Sequence, residues 1–527
     1  MKNITVCILT AGVGSRMEEY TKSFNKALLP INKKASISLI LEKFPKNTKF
    51  VIATGYKKKQ VKEFLKTNHP NNKFNFININ NYEGKGSGPG LSLLKCKKYL
   101  NKPFFFVSCD TLWNKNQRFI QNENWMGIPI KKIYEKKNYC NLLCKNKRVL
   151  SIYDKIDTKK NTKQFIGFAF IKDHKEFWEG IKKDQTKSKE PQVSAGFKNI
   201  LKSKRKILEK RFDWIDIGTK EKYLKELIKH ESFNFSKQSQ YIYINEDRVT
   251  KYFENPQIIK NLVFKAQKNK KVYPKILKRG TNFLSYEYFD GQTYYNFYDP
   301  NKFKILLNYL NKNLWKKAYI NQKDFQKKCL KFYRNKTEKR INLFKRKNKQ
   351  ISFVKNSVIN NENVFSYNKL FKMINWKKIS YGTPYHIHGD LQFDNILFNK
   401  FQKKFKLIDW RPDFLKNVVI GDIYYDFAKL LGGLILNYDF IKKNMFKISI
   451  NNRKIFLRYK KRKNTDKCIK VLRNFAYSKG LSFKKIQIIT GLIFLNMSPL
   501  HFKPFDIFLF QLGRLYLNNA IKNYENR

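Results

Sequence analysis

The first 110 residues alternate apolar runs with amphipathic stretches. Each apolar run predicts a buried β-strand: NITVCIL (3–9), KFVIATG (49–55), KFNFININ (73–80) and KPFFFVSCD (102–110). Two stretches between them, at 59–68 and 90–100, have the apolar spacing of helices. Because strands alternate with helices, the pattern predicts a Rossmann-like parallel α/β sheet with its ligands at the carboxyl ends of the strands.

The pattern changes near residue 230. The polar stretch at 231–239 is predicted to be a linker, and QYIYINEDRVTKYF (240–253) predicts two strands around a tight turn. Long helical stretches follow, for example at 302–319 and 322–344. The apolar stretch 487–503 contains polar residues and is shorter than the roughly 20 residues of a membrane span, so it predicts a core helix and no transmembrane segment.

These patterns predict two domains. The first is an α/β domain at 1–230, and the second, at 240–527, begins with strands and continues with helices. A total of 527 residues is long enough for both.

The net charge of +70 first suggests a nucleic-acid-binding protein. However, 93 of the 110 basic residues are Lys, and they are spread along the whole chain. Nucleic-acid proteins usually concentrate basic residues on one face and favour Arg, so this charge favours a solvated surface and no specific nucleic acid. The seven cysteines are scattered, and the start MKNITVCIL lacks a signal-peptide pattern. Reduced thiols in a cytoplasmic protein are therefore expected.

The loop after the first strand is suited to phosphate. Glycines in AGVGSR (11–16) let a backbone approach a phosphate and offer it N–H groups. Arg16 and, ten residues later, Lys26 could clamp a triphosphate. A dinucleotide fold fits less well, because the chain has no GxGxxG here and no acidic residue ends the second strand.

Four segments carry a family resemblance: LTAGVGSRM, KALLP, FFFVSCDTL with Asp110, and WIDIGT with Asp216. Residues 1–228 thereby resemble nucleotidyltransferases of the sugar-phosphate and phosphocholine type. The resemblance implies catalytic roles for Arg16 and Lys26, with Mg²⁺ held by Asp110 and Asp216. It assigns nucleotide contacts to Ala11, Gly12, Gly14, Ser15, Ser87 and Gly88.

The chain departs from this family in one position and leaves the acceptor open. Asn25 stands where the family often has Pro. The spacing from Arg16 to Lys26 is closer to the sugar-phosphate enzymes than to some phosphocholine enzymes. Gly167 and Glu190 are candidates for the acceptor pocket, and a structural role is an equal alternative for each.

A second set of chemical residues lies in HIHGDLQFDNILF (386–398). Asp390 precedes Asn395 by five residues and Asp409 by 19. This is the spacing of a kinase catalytic loop and its metal strand, where a carboxylate orients the hydroxyl and two further groups hold Mg²⁺.

Residues 240–527 resemble the aminoglycoside phosphotransferase and choline/ethanolamine kinase family. The resemblance implies a protein-kinase-like, bilobal α+β fold with a small lobe at about 240–295 and a large helical lobe at about 296–527. The resemblance implies that Asp390 is the base and that Asn395 and Asp409 bind Mg²⁺. It assigns ATP contacts to Lys251 and to the hinge residues Glu287, Tyr288 and Phe289. His388 is expected to hold the loop. Asp422 and Asp426 could bind substrate or cap a helix, and a structural role is favoured for Asp426. No Gly-rich loop precedes Lys251, and no Glu occurs between Glu254 and Glu287.

The two resemblances form a reaction sequence. A kinase would phosphorylate a small alcohol with ATP, and a nucleotidyltransferase would join the phosphate to a nucleotide. The leading hypothesis is an amino alcohol with CTP, for a surface polysaccharide or a lipid headgroup. A sugar kinase fused to a sugar-1-phosphate nucleotidyltransferase is the alternative, and a decayed, nucleic-acid-associated binding protein is a third. The sequence leaves the oligomeric state open.

Overall fold

A computed structural model describes residues 4–114, 119, 121–131, 137–154, 161–187, 191–230, 240–297 and 299–522, with the backbone alone at 185–187 and 230. The predicted linker at 231–239 and Glu190 lie outside the described residues. The chain divides into two compact units. The first comprises Met1–Glu254 and Gly280–Ser285, and the second Asn255–Arg279 and Tyr286–Arg527.

The first unit is built on a ten-stranded sheet. From one edge to the other its strands are Lys163–Gln164, Cys140–Lys145, Arg148–Asp154, Ile207–Phe212, Asn124–Pro129, Phe168–Ile171, Phe104–Ser108, Thr5–Leu9, Lys49–Thr54 and Lys73–Asn78. The last four are the strands predicted from the sequence, and they are parallel as expected. Next to them, Phe168–Ile171 is antiparallel to Phe104–Ser108, so the whole sheet is mixed.

Helices and short strands complete the first unit. The α-helices are Ser36–Leu41, Lys58–Asn68, Pro89–Lys95, His174–Lys187, Ser194–Lys202 and Lys220–His230, and the 3₁₀ turns are Ser15–Tyr20, Lys26–Leu28 and Lys97–Tyr99. Two strand pairs lie outside the large sheet: Pro30–Ile31 with Lys34–Ala35, and Thr111–Trp113 with Trp214–Asp216.

Both faces of the parallel strands are buried. In the first strand, Val6 and Ile8 belong to one apolar cluster, while Cys7 belongs to another. Alternate side chains of a strand point to opposite faces, so the sheet has a core on each side. This explains why the strands read as continuous apolar runs.

The predicted hairpin at 240–253 is confirmed: Gln240–Ile244 pairs antiparallel with Arg248–Phe253. However, this hairpin belongs to the first compact unit and not to the second. Tyr241, Tyr243 and Tyr252 enter the first unit's core, and the Tyr243 hydroxyl donates to the carbonyl of Leu28 at 2.8 Å. The boundary at residue 240 and the small lobe stay predictions.

The second unit is mainly helical, and its kinase-like arrangement stays a prediction. Its α-helices are Pro256–Lys268, Pro300–Asn313, Gln322–Leu330, Lys336–Lys347, Tyr367–Met373, Trp376–Ser380, Ile423–Ile435, Tyr438–Lys442, Thr465–Ser478, Phe483–Met497 and Phe505–Lys522. Its strands are Ile276–Arg279, Gln292–Thr293, Ser357–Ile359, Glu362–Val364, Pro384–His386, Ile396–Asn399, Lys404–Leu407, Ile420–Asp422, Phe446–Asn451 and Lys454–Tyr459, and the strand Phe283–Glu287 is shared between the two units in sequence. Short 3₁₀ turns cover Tyr294–Asn296, Phe393–Asn395 and Ser498–Leu500.

The predicted helices of this unit are present with altered ends. The stretch 322–344 forms two α-helices joined by a π-helical turn at Lys331–Asn335. The helix predicted at 302–319 ends at Asn313. Phe483–Met497 is a buried core helix, as the stretch 487–503 predicted. In the part of the chain that the structure describes, no helix is long and apolar enough to cross a membrane.

Candidate functional site

The glycine loop follows the strand Thr5–Leu9, and Asp110 follows the neighbouring parallel strand Phe104–Ser108. Parallel neighbours end at the same edge of the sheet, so the loop and Asp110 share that edge. Gly14 has φ +72°, and a Cβ there would lie 3.3 Å from the Cβ of Lys26. Gly14 therefore lets the loop close onto Lys26, whereas a Cβ at the exposed Gly12 would meet nothing within 4 Å.

Hydrogen bonds of the Asn25 side chain connect the start of the glycine loop to the segment that contains Lys26. Its side-chain N–H groups donate to the carbonyls of Thr10 at 3.0 Å and Tyr56 at 2.7 Å. Its Oδ1 accepts from the backbone N–H of Ala27 at 2.9 Å and so caps the turn Lys26–Leu28. A proline could make none of these side-chain bonds, so the departure from the family pattern has a structural role here.

Lys26 joins the two acidic segments of the site. Its buried Nζ donates to Asp110 Oδ2 at 2.7 Å and to the carbonyl of Gly218 at 3.1 Å. Burial works to raise the pKa of Asp110, but Lys26, with a smaller contribution from Arg16, lowers it below its ordinary value. Asp110 is therefore ionised at neutral pH.

Asp110 and Asp216 converge around Gly218. Asp216 lies opposite Thr111 in the small antiparallel pair, directly beside Asp110. A Cβ on Gly218 would lie 2.8 Å from Asp216 Oδ1 and 3.4 Å from Asp110 Oδ2. The structure thus brings together the two predicted metal ligands, which are 106 residues apart in the sequence.

The carboxylate pair fits Mg²⁺. Carboxylate oxygens are the donors that Mg²⁺ prefers, and it commonly takes one or two of them together with phosphate oxygens and water. Within the described residues, no group of three or more His, Cys, Asp or Glu side chains is suited to a metal. A metal at Asp110 and Asp216 would therefore need further ligands, such as the phosphates of a nucleotide.

Two partners of Asp216 were missed by the sequence reasoning. The Nζ of Lys222 and the hydroxyl of Tyr139 each donate to Asp216 Oδ2 at 2.7 Å, and they also bond to each other. Burial works to lower the pKa of Lys222, but its bonds to Asp216 and Tyr139 raise it above its ordinary value. Lys222 follows Asp216 by six residues on a helix, which was a usable signal, whereas nothing local pointed to Tyr139.

The segment of Ser87 and Gly88 has bonds of its own. The Ser87 hydroxyl donates to the carbonyl of Gly84 at 2.6 Å within the same turn. A Cβ on Gly90 would lie 2.7 Å from backbone atoms of Pro191. Gly167 is confined in the same way, because its Cβ would lie 2.6 Å from Ser108 Oγ. These contacts favour structural roles, and the nucleotide contacts of Ser87 and Gly88 stay predictions.

In the second unit, Asp426 organises the loop that contains Asp390. Its carboxylate accepts from the backbone N–H groups of His388 and Gly389, each at 2.8 Å, and from the indole N–H of Trp315 at 3.1 Å. Asp426 is fully buried. It has the structural role expected from the sequence.

His388 also acts on the backbone. Its Nε2 lies 3.0 Å from the carbonyl of Ile408, and its Nδ1 lies 3.2 Å from the N–H of Asp390. A neutral ring with its proton on Nε2 satisfies both contacts. Burial lowers the pKa of His388 to about 3, so the ring is neutral at physiological pH.

Asp390, Asn395 and Asp409 are brought together as the sequence predicted. The side chain of Asn395 donates to the Asp390 carbonyl at 2.8 Å, and the Asn395 carbonyl accepts from Ile408 at 2.9 Å. Asp409 therefore directly follows a residue that is hydrogen-bonded to Asn395. Its φ of +57° is a strained conformation of the kind that concentrates at functional sites.

The Asp390 carboxylate has a cationic partner. Lys429 Nζ lies 2.7 Å from Asp390 Oδ1. Burial works to raise the pKa of Asp390, but Lys429 and Arg411 lower it to about 2. Lys429 was missed, although it lies one helical turn after Asp426 in an otherwise apolar helix.

The predicted ATP contacts are less complete. Lys251 is a buried residue in a strand of the first unit, opposite Ile242, and its phosphate contact stays a prediction. In the hinge, the N–H of Glu287 donates to the carbonyl of Lys275 at 2.9 Å. That amide is used by the sheet, so adenine recognition would involve other backbone groups of Glu287, Tyr288 and Phe289.

Asp422 caps a helix. It is buried, and it accepts from the N–H groups of Thr383 and Tyr424 and from the hydroxyl of Tyr333. Three protein donors occupy its carboxylate and it stands at the N-cap of the helix Ile423–Ile435, so a capping role is favoured over substrate binding.

Replacing Asp426 by Ala should lower the free energy of unfolding of the second unit by about 3 kcal/mol or more. Three buried N–H donors would lose their acceptor, and each such loss costs about 1–3 kcal/mol. Denaturant unfolding would measure the change. Asp466→Ala, at an exposed helix start, is the control and should cost less than about 1 kcal/mol. Equal losses would contradict the hydrogen bonds described for Asp426.

Lys265 gives the second unit a pH-dependent stability. Its Nζ donates to the carbonyls of His388 and Arg411, both at 3.1 Å. Burial lowers its pKa from 10.5 to about 7. Above pH 7 the unfolded chain therefore holds a proton that the folded chain does not, so stability rises with pH up to about 10.5.

Replacing Lys265 by Met should remove the contribution of Lys265 to the rise of stability with pH. Unfolding of both proteins would be compared at pH 7 and pH 9, where wild type should gain more stability than the variant. Lys260→Met, at an exposed position of the same helix, controls for the reduced net charge. A pH profile of Lys265→Met parallel to that of wild type would contradict the lowered pKa.

No family model matches the chain. Among curated proteins it is similar to the bifunctional protein GlmU of Methanocaldococcus jannaschii, with 23% identity over 216 residues, which cover 40% of this chain and 50% of the relative. The GlmU of Methanococcus vannielii is 27% identical over 123 residues, covering 23% of this chain and 28% of the relative. The matches thus span half or less of these relatives' length.

Solved structures show a related likeness. A UDP-glucose pyrophosphorylase complexed with UDP-glucose is 17% identical and covers 43% of this chain and 98% of its own, with a TM-score of 0.37. The CTP:phosphocholine cytidylyltransferase LicC of Streptococcus pneumoniae is 20% identical and covers 43% of this chain and 98% of its own, with a TM-score of 0.35. TM-scores this low carry no argument, so the functional assignment depends on the residues of the site.

The sequence similarity to these relatives supports a nucleotidyltransferase-like N-terminal part, in agreement with the resemblance found in the sequence. These relatives bear on the N-terminal part, so the kinase-like domain stays a prediction.

Proposed function

We propose that the first unit transfers a nucleotidyl group from a nucleoside triphosphate to the phosphate of a small phosphomonoester. The observation that supports this most is the position of Lys26, which contacts Asp110 and the Gly218 carbonyl beside the glycine loop. The loop, a buried cation and two converging carboxylates provide what a reaction between two anions requires.

In this reaction an oxygen of the phosphomonoester attacks the α-phosphorus of the triphosphate. The new P–O bond forms as the bond to the β-phosphate oxygen breaks, and pyrophosphate leaves. Lys26 and Arg16 offset the negative charge of the reacting phosphates. Mg²⁺, when bound by Asp110 and Asp216, would lower that charge further and orient the triphosphate. CTP is the triphosphate that the sequence resemblance favours.

We propose a second activity for the second unit: phosphorylation of a small alcohol by ATP. The supporting observation is the hydrogen-bonded arrangement of Asp390, Asn395 and the segment leading to Asp409, held by Asp426 and His388. The alcohol oxygen attacks the γ-phosphorus, the bond to ADP breaks, and the hydroxyl proton passes to the Asp390 carboxylate and then to solvent. Asn395 and Asp409 would hold Mg²⁺ on the ATP phosphates.

The two activities form a sequence, because the phosphomonoester made by the second unit is the class of compound that the first unit consumes. Phosphorus NMR of the full chain with Mg²⁺, ATP, CTP and a panel of alcohols and sugars tests both. A monoester signal followed by a pyrophosphate-linked diester is expected. A diester formed only from a supplied phosphomonoester would leave the first activity standing and reject the second.

A further inference from the structure

Four cationic side chains share the neighbourhood of Asp390 in the second unit. They come from three separate segments of the chain: Lys336 and Arg340 from one helix, Arg411 from the loop after Asp409, and Lys429 from the helix Ile423–Ile435. Lys336 and Arg340 are four residues apart, so they lie on the same face of their helix.

Two aromatic rings contact three of these basic side chains. The ring centroid of Tyr425 lies 5.5 Å from Arg411 Cζ, 5.9 Å from Lys429 Nζ and 6.0 Å from Lys336 Nζ. The centroid of Phe332 lies 4.3 Å from Lys336 Nζ and 5.1 Å from Arg411 Cζ. Three basic side chains therefore gather around the Tyr425 ring, next to the carboxylate of Asp390.

Repulsion between cations is prominent in this cluster. Asp390 acts on Lys336, Arg411 and Lys429, and Asp413 acts on Arg411. Burial lowers the pKa of Lys336 well below its ordinary value, and Arg411, Lys429 and Arg340 lower it further. Burial and then Arg411 lower the pKa of Arg340 as well. An additional anion would relieve this repulsion.

The cluster is open to a small molecule. The Asp390 side chain is 37% exposed, and Lys336, Arg340 and Arg411 are only partly buried. Lys429 is tied to Asp390, whereas Lys336 and Arg340 make no ion pair with any described residue. Arg offers a planar fork of donors that matches a carboxylate or a phosphate.

We propose that the alcohol phosphorylated at Asp390 carries an anionic group, a carboxylate or a phosphate, which Lys336, Arg340 and Arg411 bind. This rests on the proposed kinase function and names its substrate class. The base contacts the acceptor hydroxyl, so the groups around its carboxylate lie on the acceptor side. A cationic acceptor such as choline would meet these basic side chains there, so the amino alcohol expected from the sequence is disfavoured.

Three alcohols that share a three-carbon diol skeleton test the charge directly: glycerate is anionic, glycerol is neutral and 3-amino-1,2-propanediol is cationic. ADP formation by the full chain would be measured with each, and with choline and ethanolamine. We expect the highest kcat/KM for glycerate. Turnover of the cationic alcohols above glycerate would overturn the inference and leave the kinase function standing.

Variants of the cluster separate the acceptor from ATP. Lys336→Gln and Arg340→Gln should each raise the KM for glycerate roughly tenfold or more, with less than about a twofold change in the KM for ATP. Lys339→Gln, at an exposed position of the same helix, is the matched control and should change neither. A rise confined to the KM for ATP would show that the cluster binds the ATP phosphates and would overturn the inference.

Binding of inorganic phosphate gives a readout that does not need turnover. Calorimetric titration at constant ionic strength should show a site in wild type that is weakened roughly tenfold in Lys336→Gln and is retained in Lys339→Gln. If no alcohol is phosphorylated but this pattern is found, the anion site stands and the kinase proposal fails. Equal weakening in both variants would show diffuse attraction by a basic chain and overturn the inference.

Discussion

Replacing Asp390 by Asn should lower phosphoryl transfer from ATP by about two to four orders of magnitude. Asn keeps the size of the side chain but cannot accept a proton, and it cannot form the ion pair with Lys429 at 2.7 Å. The rate of ADP formation with the best acceptor of the panel measures the loss. Nucleotidyl transfer to a supplied phosphomonoester should continue at the wild-type rate.

The low pKa of Asp390, about 2, adds a condition to this prediction. A carboxylate with a lowered folded-state pKa stays ionised as pH falls. Protonation of Asp390 should therefore not lower the rate of phosphoryl transfer between pH 8 and about pH 4. An acidic limb above pH 5 in wild type would have to come from another group.

Two controls decide whether a loss in Asp390→Asn is chemical. Asp324→Asn changes an exposed carboxylate of the same unit, 69% exposed, and should leave ADP formation unchanged. Thermal unfolding should show that Asp390→Asn remains folded. Retention of more than about a tenth of the wild-type rate would exclude Asp390 as the base.

Local features could be predicted from the sequence because they depend on near neighbours. The four parallel strands are short apolar runs, and the tight loop after the first of them needs the positive φ of Gly14. The hairpin at 240–253 was predicted from its two runs and the turn between them. Each of these features is specified within roughly 15 residues.

Long-range partners could not be predicted in the same way. The alternation of Tyr241 and Tyr243 shows that one face of the strand is buried, but it does not show against which core. Asp110 and Asp216 lie close together because the strand Trp214–Asp216 pairs with Thr111–Trp113, about a hundred residues earlier in the chain. Only the family resemblance indicated this proximity.

Lys265 and Lys429 illustrate a further limit. Lys429 is the single cation of a largely apolar helix, and Lys265 is the one buried lysine among the three of its helix, which marks both as unusual. Their partners are set by tertiary packing: two backbone carbonyls for Lys265 and a carboxylate for Lys429. The basic side chains around Asp390 therefore became visible as a cluster only in the structure, and with them the reason to propose an anionic acceptor.

Replacing Lys26 by Met should lower nucleotidyl transfer by about two to three orders of magnitude. Met retains most of the buried volume but removes the cation that contacts Asp110 at 2.7 Å and the Gly218 carbonyl at 3.1 Å. The reacting phosphates would then lack a fixed positive charge, and the pKa of Asp110 would rise towards its ordinary value. Pyrophosphate release from CTP and a supplied phosphomonoester measures the effect.

Lys34→Met is the matched control for Lys26→Met, because the Lys34 side chain is 37% exposed and pairs with the exposed Glu42. It should retain nucleotidyl transfer, since surface ion pairs contribute little. An equal loss in both variants, or no loss in Lys26→Met, would reject the role of Lys26. If both proposed activities are present, Lys26→Met supplied with ATP, CTP and the alcohol should accumulate the phosphomonoester, whereas Asp390→Asn should accumulate nothing. These opposite results would establish the order in which the two units act.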